Sequence, residues 1–242
     1  LRDLDSAGDV QVQAGGNVVV GDTGRAQLTW TDFLSGEFLP GTDVLLSLSL
    51  PAEREVVLDQ ATGTARYVLQ GAGAGANVQV KAAWANIVLD LGTADVLVSL
   101  VPGTDPAVWV VALEGSAQVD HAGDETSRVA LRPGQVVTVT DAGGVAEPID
   151  IDRAAVLAWY DAAAVGQAEG DISLVAFRCT ASAASVVLRA SPDADGEPVG
   201  TPLDPGTVVT VVERDADGMW LHVRPAGAGD DGWATASELA CV

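Results

Sequence analysis

Short apolar runs with a period of two, cut every few residues by Gly, Pro, Asp or Thr, fill most of this 242-residue chain and leave few folds open to it. Val10-Gln11-Val12-Gln13, Val18-Val19-Val20 and Ala26-Gln27-Leu28-Thr29-Trp30 begin the series. Val44–Leu50, Val56–Leu58, Tyr67–Leu69, Val78–Val80, Ile87–Leu91 and Val96–Val101 continue it. Val108–Leu113, Ala117–Val119, Val129–Leu131 and Val136–Val139 follow. Alternation places apolar side chains on one face of a strand and polar ones on the other. A succession of such strands with turn residues between them builds a sandwich, a barrel or a solenoid. The fold class expected is therefore all-β. With 48% hydrophobic residues the chain can fill a real core, and its length suits two ordinary domains.

One segment departs from the alternation. Ala155, Val156, Trp159, Tyr160 and Ala163 fall on one face at helical spacing, with Asp152 placed to cap the start and Gly166 and Gly170 to end it. The spacing predicts a helix over 152–165, packed across the preceding module or between two modules. The run Gly71-Ala-Gly-Ala-Gly-Ala76 is too short for a linker and reads as a flexible turn.

Charge narrows the partners. Acidic residues number 34 against 12 basic ones, a formal net charge of −22, and Lys81 is the only lysine. Such a surface repels nucleic acid phosphates and anionic lipids. The charge is spread along the chain with no block of like sign, as on a solvated surface. No stretch approaches 18 uninterrupted apolar residues, so no membrane span is expected. The opening at Leu1, with no charged-then-apolar leader, fits a mature exported chain.

The two cysteines, Cys179 and Cys241, bracket the last quarter of the chain. A disulfide closing a loop of this size stabilises by about 4 kcal/mol in the chain-entropy account, and such bonds persist in oxidising compartments. The pair thus points to a clasped C-terminal unit in a secreted, extracellular or cell-surface protein, the periplasm being the other oxidising address. Two unrelated buried thiols is the competing reading. The expected division is 1–150, a connector over 151–171, and 172–242.

Two families share residues with these parts. Val18-Val-Val-Gly-Asp-Thr-Gly-Arg-Ala-Gln-Leu28, Val78-Gln-Val-Lys-Ala82, Ala85-Asn-Ile87, Leu91-Gly-Thr93, Val108-Trp-Val-Val-Ala-Leu-Glu-Gly115 and Leu131-Arg-Pro-Gly-Gln135 resemble the FecR-type domain of bacterial periplasmic and surface proteins, over roughly residues 8–145. The resemblance implies a β sandwich or solenoid-type module. Asp32-Phe-Leu-Ser-Gly36 reads as a longer version of the family's turn, and nothing matches the anti-sigma segment and transmembrane helix of the iron-signalling members. Val186-Val-Leu-Arg-Ala-Ser-Pro192, Leu203-Asp-Pro-Gly-Thr-Val208, Met219-Trp-Leu-His-Val223 and Gly232-Trp-Ala-Thr-Ala-Ser-Glu-Leu239 resemble a bacterial Src-homology-3-like domain over 179–242. That resemblance implies a small β-barrel that binds cell-wall peptides or serves as a spacer, without catalysis.

Chemistry-bearing constellations are scarce. His121 and His222 lie in different modules, with no His-x-x-x-His or Cys-x-x-Cys spacing, no Gly-x-Ser-x-Gly elbow and no phosphate-binding loop. No enzyme and no cofactor are expected. Two Asp-Ala-Asp-Gly tetrads offer Asp193, Asp195, Asp215 and Asp217 as weak calcium ligands. The twelfth positions are Asp204 and Ala226 where a calcium loop needs Glu, so both tetrads read as hairpin turns in which Asp-Gly supplies positive φ. Trp220 and Trp233 either line a shallow peptide groove or belong to the barrel wall; Trp30, Trp84 and Trp109 read as core.

These features favour a non-enzymatic surface protein that associates with copies of itself. In that reading the segment Leu1–Gln13, through Val10 and Val12, adds to the sheet edge of a neighbouring copy, and a contact that does not close builds a filament or surface layer. The alternatives are a monomeric module that binds cell-wall peptide or glycan, and a sensor domain of FecR-type signalling.

Overall fold

The computed structural model describes residues 12–30, 33–50, 52–71, 76–90, 92–102, 106–122, 124–142, 144–151, 153–168, 172, 178–215, 219–225 and 230–241. Its first strands are β1 (Asn17–Val19), β2 (Ala26–Trp30), β3 (Leu34–Phe38), β4 (Asp43–Leu50), β5 (Glu55–Thr62) and β6 (Thr64–Leu69). Next come β7 (Asn77–Ala82), β8 (Ala85–Leu89), β9 (Ala94–Val101), β10 (Ala107–Glu114), β11 (Ala117–His121), β12 (Asp124–Leu131) and β13 (Gln135–Thr140). The short β14 (Gly144–Val145) and β15 (Ile149–Asp150) precede helix α1 (Arg153–Ala164). The C-terminal strands are β16 (Arg178–Ala181), β17 (Val208–Arg214), β18 (Trp220–Pro225), β19 (Gly232–Thr235) and β20 (Leu239–Cys241).

Alternation sorts the first fifteen strands into two facing sheets. A seven-stranded sheet runs β1-β4-β5-β7-β8-β11-β12, and an eight-stranded one runs β14-β13-β10-β9-β6-β3-β2 with β15 beside β13. The chain visits them in turn, one to three strands at a time, so each winding lays new strands beside those of the previous one. β5 and β7 pair in parallel, while β6 passes through the other sheet between them. Val44, Leu46, Val78, Val80, Ile87 and Val119 from one sheet meet Phe38, Tyr67, Val96, Val98, Val110 and Val137 from the other in one buried core. Polar Gln60 survives there because Tyr67 Oη donates to its Oε1 at 3.0 Å and its Nε2 donates to the carbonyls of Gly63 and Val98.

Of the segment 32–36, expected as a turn, residue 32 lies outside the described residues and Leu34–Gly36 belong to strand β3. Leu34, Gly36 and Phe38 are buried while Ser35 and Glu37 are half-buried, the alternation of a paired strand. Gly36 is there because a Cβ would come within 2.9 Å of both the Phe38 and Trp30 rings.

Helix α1 spans Arg153–Ala164, close to the expected 152–165; Asp152, Gly170 and residues 72–75 of the glycine-alanine run lie outside the described residues. Gly166 ends the helix at φ 69°, its N–H reaching the Ala163 carbonyl and that of Gln167 the Ala162 carbonyl. Val156, Trp159 and Tyr160 form a second buried cluster with Leu97, Val111, Leu113 and Val136 on the outer face of the eight-stranded sheet. Tyr160 also lays its ring over Arg66, which is paired with Asp95.

The last sheet runs β19-β18-β17-β16-β20, curled around its own core of Val186, Leu188, Val209, Val211, Leu221, Val223 and Ala234. Cys179 and Cys241 are register partners on β16 and β20; Cys179 is buried, and no cysteine among the described residues is free.

Candidate functional site

β18 and β19 place the two expected tryptophans on one surface. Leu221 and Val223 alternate into the small core, which turns Trp220, His222 and Arg224 outward. Register sets Trp220 opposite Thr235 and His222 opposite Trp233, so Trp220 and Trp233 occupy diagonal positions on one face, with His222 directly across from Trp233. The His222 and Trp233 rings lie 5.1 Å apart at 33°. All three side chains are half-buried. Each indole therefore rests on the module while part of its surface meets solvent, which combines the groove and wall readings.

Local chemistry fixes these rings. Arg189 and Trp233 exchange backbone hydrogen bonds at 2.8 and 2.7 Å, holding β19 against the segment that carries Leu188. Gly232 permits that approach, since a Cβ there would sit 2.8 Å from Leu188 Cβ. Before β18, the Asp215 carboxylate accepts the Trp220 N–H at 2.9 Å, and the Asp215 N–H reaches the Trp220 carbonyl at 3.1 Å. Beside the rings, Arg224 Nε and Nη2 donate to Asp231 Oδ2 at 3.0 and 2.9 Å, and this hydrogen bonding raises the pKa of the guanidinium.

The first tetrad forms a turn, while residues 216–218 of the second lie outside the described residues. The Asp193 carboxylate accepts the Asp195 N–H at 3.0 Å, an Asx turn, and Asp215 caps the approach to Trp220 as described. Gly196 is absent from the positive-φ glycines, contrary to the expected role of Asp-Gly. It is required because a Cβ would meet Ser191 Oγ at 2.9 Å and the Asp193 carbonyl at 3.0 Å. Asp217 lies outside the described residues, and among the described residues no cluster of three or more His, Cys, Asp or Glu side chains could hold a metal ion. Val10 is likewise outside them; Val12 is half-buried against the principal core.

Trp30 is buried in the first module's core, and Trp84 and Trp109 pack against its two clusters while partly exposed. Sequence reasoning missed the contact of His222 with Trp233 and the Arg224–Asp231 pair. The parity of positions 220, 222 and 224 was the available signal.

Residues 184–240 match the bacterial SH3 domain family. This is a non-catalytic kind of domain, and its match contains Trp220, His222 and Trp233. Residues 8–145 give no match to a FecR family model. No curated protein matches the chain. Two crystal structures of a proposed anti-sigma factor from Parabacteroides distasonis, at 1.65 and 2.50 Å resolution, are similar to it at 20% and 19% identity, each with a TM-score of 0.49. Each similarity covers 60% of this chain and 64% and 63% of the respective neighbours, so less than two thirds of their length is matched. Among the described residues no helix is long and apolar enough to cross a membrane.

Proposed function

We propose that this chain is a non-enzymatic, exported bacterial protein that docks on cell-wall peptide through the Trp220–His222–Trp233 face of its C-terminal module. The observation that carries this reading is the shared outward face of three half-buried rings within the segment matched to the bacterial SH3 family. Rings already seated on a rigid sheet offer apolar contact at little entropic cost on binding. Bacterial SH3 domains are typical of extracellular or periplasmic proteins. A disulfide between Cys179 and Cys241 belongs to the same reading, because antiparallel register partners have Cα separations of about 4.5–5.5 Å, within the range that a disulfide spans.

The test is co-sedimentation with purified peptidoglycan sacculi. Wild-type protein should pellet, and Trp220→Ala and Trp233→Ala should each weaken binding about tenfold, the effect of roughly 1.4 kcal/mol, with unchanged thermal midpoints. Wild-type protein that stays in the supernatant overturns the reading. Self-association through Leu1–Gln13 draws no support from the described residues, since Val12 is occupied within the chain.

A further inference from the structure

The outer face of the seven-stranded sheet carries a polar row that the core does not require. Register aligns Asp59 of β5, Lys81 of β7, Asn86 of β8 and Asp120 of β11 across four adjacent strands. Asp120 is 1% exposed, and its Oδ2 accepts Arg128 Nε and Nη2 at 3.1 and 2.9 Å. Its Oδ1 accepts Asn86 Nδ2 at 3.0 Å, and Asn86 Oδ1 in turn accepts Gln79 Nε2. At the other end Ser47, the extra residue of a bulge in β4, donates to the Asp59 carboxylate. The buried Asp120 carboxylate, held by the exposed Arg128, thus anchors a chain of amides that would otherwise turn freely in solvent.

Asp59, Gln79, Lys81, Ala83 and Asn86 line a cavity of about 520 Å³, within the size range of small-molecule sites. Lys81 is exposed and makes no hydrogen bond or ion pair among the described residues, even though Asp59 is its register partner. Ala83, in the two-residue turn between β7 and β8, holds φ 45°, where glycine is the ordinary choice. Left-handed backbone at a residue with a Cβ is a cost that concentrates at functional sites.

The cavity's chemistry selects among ligands. One carboxylate and one ammonium leave its lining neutral, so neither an anion nor a cation finds a uniform field. Fixed amides and a charge at each side supply donors and acceptors together, which suits groups that both donate and accept. Hydroxyls do so, and several of them fixed on one ring match a row of such partners. An uncharged polyol also approaches a chain of net charge −22 without repulsion. We propose that this cavity binds a neutral saccharide unit of one or two rings, independently of the Trp220–Trp233 face.

Lys81 makes the test specific. Because it is the only lysine, reductive methylation with ¹³C-formaldehyde labels it and the N-terminal amine alone. Full-length labelled protein is titrated with glucose, N-acetylglucosamine and the β-1,4-linked disaccharide of N-acetylglucosamine while the Lys81 methyl resonance is followed by NMR. A saturable shift with at least one sugar is expected, retained in Trp220→Ala and weakened about tenfold or more in Gln79→Ala and Asn86→Leu. Gln79→Ala leaves the Asn86–Asp120 bond in place and so serves if Asn86→Leu does not fold. No saturable shift with any sugar, an equal shift with sodium acetate, or a shift unchanged in both cavity variants overturns the proposal.

Discussion

Arg66 and Asp95 share two hydrogen bonds, Nε to Oδ1 at 2.8 Å and Nη2 to Oδ2 at 2.6 Å, with the guanidinium 5.9 Å from the centre of the Tyr160 ring. Hydrogen bonding to Asp95 is the first cause of the raised Arg66 pKa, so the group stays charged and its partner matters at every ordinary pH. Asp95→Ala leaves that charge half-covered without its carboxylate and should cost about 2 kcal/mol. Chemical denaturation checks this, with faster limited proteolysis at α1 as the local sign. Asp95→Asn keeps one acceptor and should fall between the two.

A second prediction concerns the core. Tyr67 Oη is the donor that satisfies Gln60 Oε1, and both side chains are buried. Tyr67→Phe preserves the edge-on contact with Phe38, 6.1 Å between centroids, yet strands the amide oxygen away from water. The expected cost is about 2 kcal/mol, seen as a lower thermal midpoint. Tyr67→Phe combined with Gln60→Leu should recover part of it, because both polar partners then leave together.

Alkaline titration gives a third. The chain has two tyrosines, and both phenols titrate above the ordinary value of 10.0: Tyr67 through burial, Tyr160 through burial and then the charge of Glu37. The raised folded pKa means that the folded state holds these protons while the unfolded chain has released them. The stabilisation is complete below about pH 10 and drains away as pH climbs above it. Tyrosinate absorbance near 295 nm should stay flat through pH 10 and appear together with unfolding. A smooth rise centred on pH 10 in folded protein would contradict the buried placement.

The cysteine pair yields a fourth. Protein purified without reductant should be 2 Da lighter than its reduced form, with Cys179 and Cys241 in one linked peptide. Reduction, or Cys179→Ser, should lower stability by about 4 kcal/mol in the chain-entropy account. The loss should fall on unfolding of the C-terminal sheet and leave the Tyr67 transition in place.

How much was legible depends on how far apart the partners lie in the chain. Val44–Leu50 and Val108–Leu113 announce strands because their apolar residues dominate, and Trp220 and Trp233 reach one surface through parity within adjacent strands. β3 was hidden because Asp32-Phe-Leu-Ser-Gly36 reads as a turn until Trp30 and Phe38 are seen to close over Gly36. The Asp59–Lys81–Asn86–Asp120 row was hidden for a deeper reason. It depends on a parallel pairing of β5 with β7 around an intervening strand in the other sheet, and on β8 meeting β11 after two more. Periodicity says which face a residue takes, but not which strand will lie beside it.

The winding of the chain between two sheets also governs when it can fold. β6 must await β9, β8 must await β11 and β10 must await β13, so the β10 edge of the eight-stranded sheet is covered only once residue 140 has been made. Pairings of this kind form slowly, since their loop entropy is lost before any contact offsets it. Until β13 arrives the hydrogen-bonding edge of β10 is open to any other strand, so the order of synthesis leaves this sheet one exposed edge that its own chain must later close.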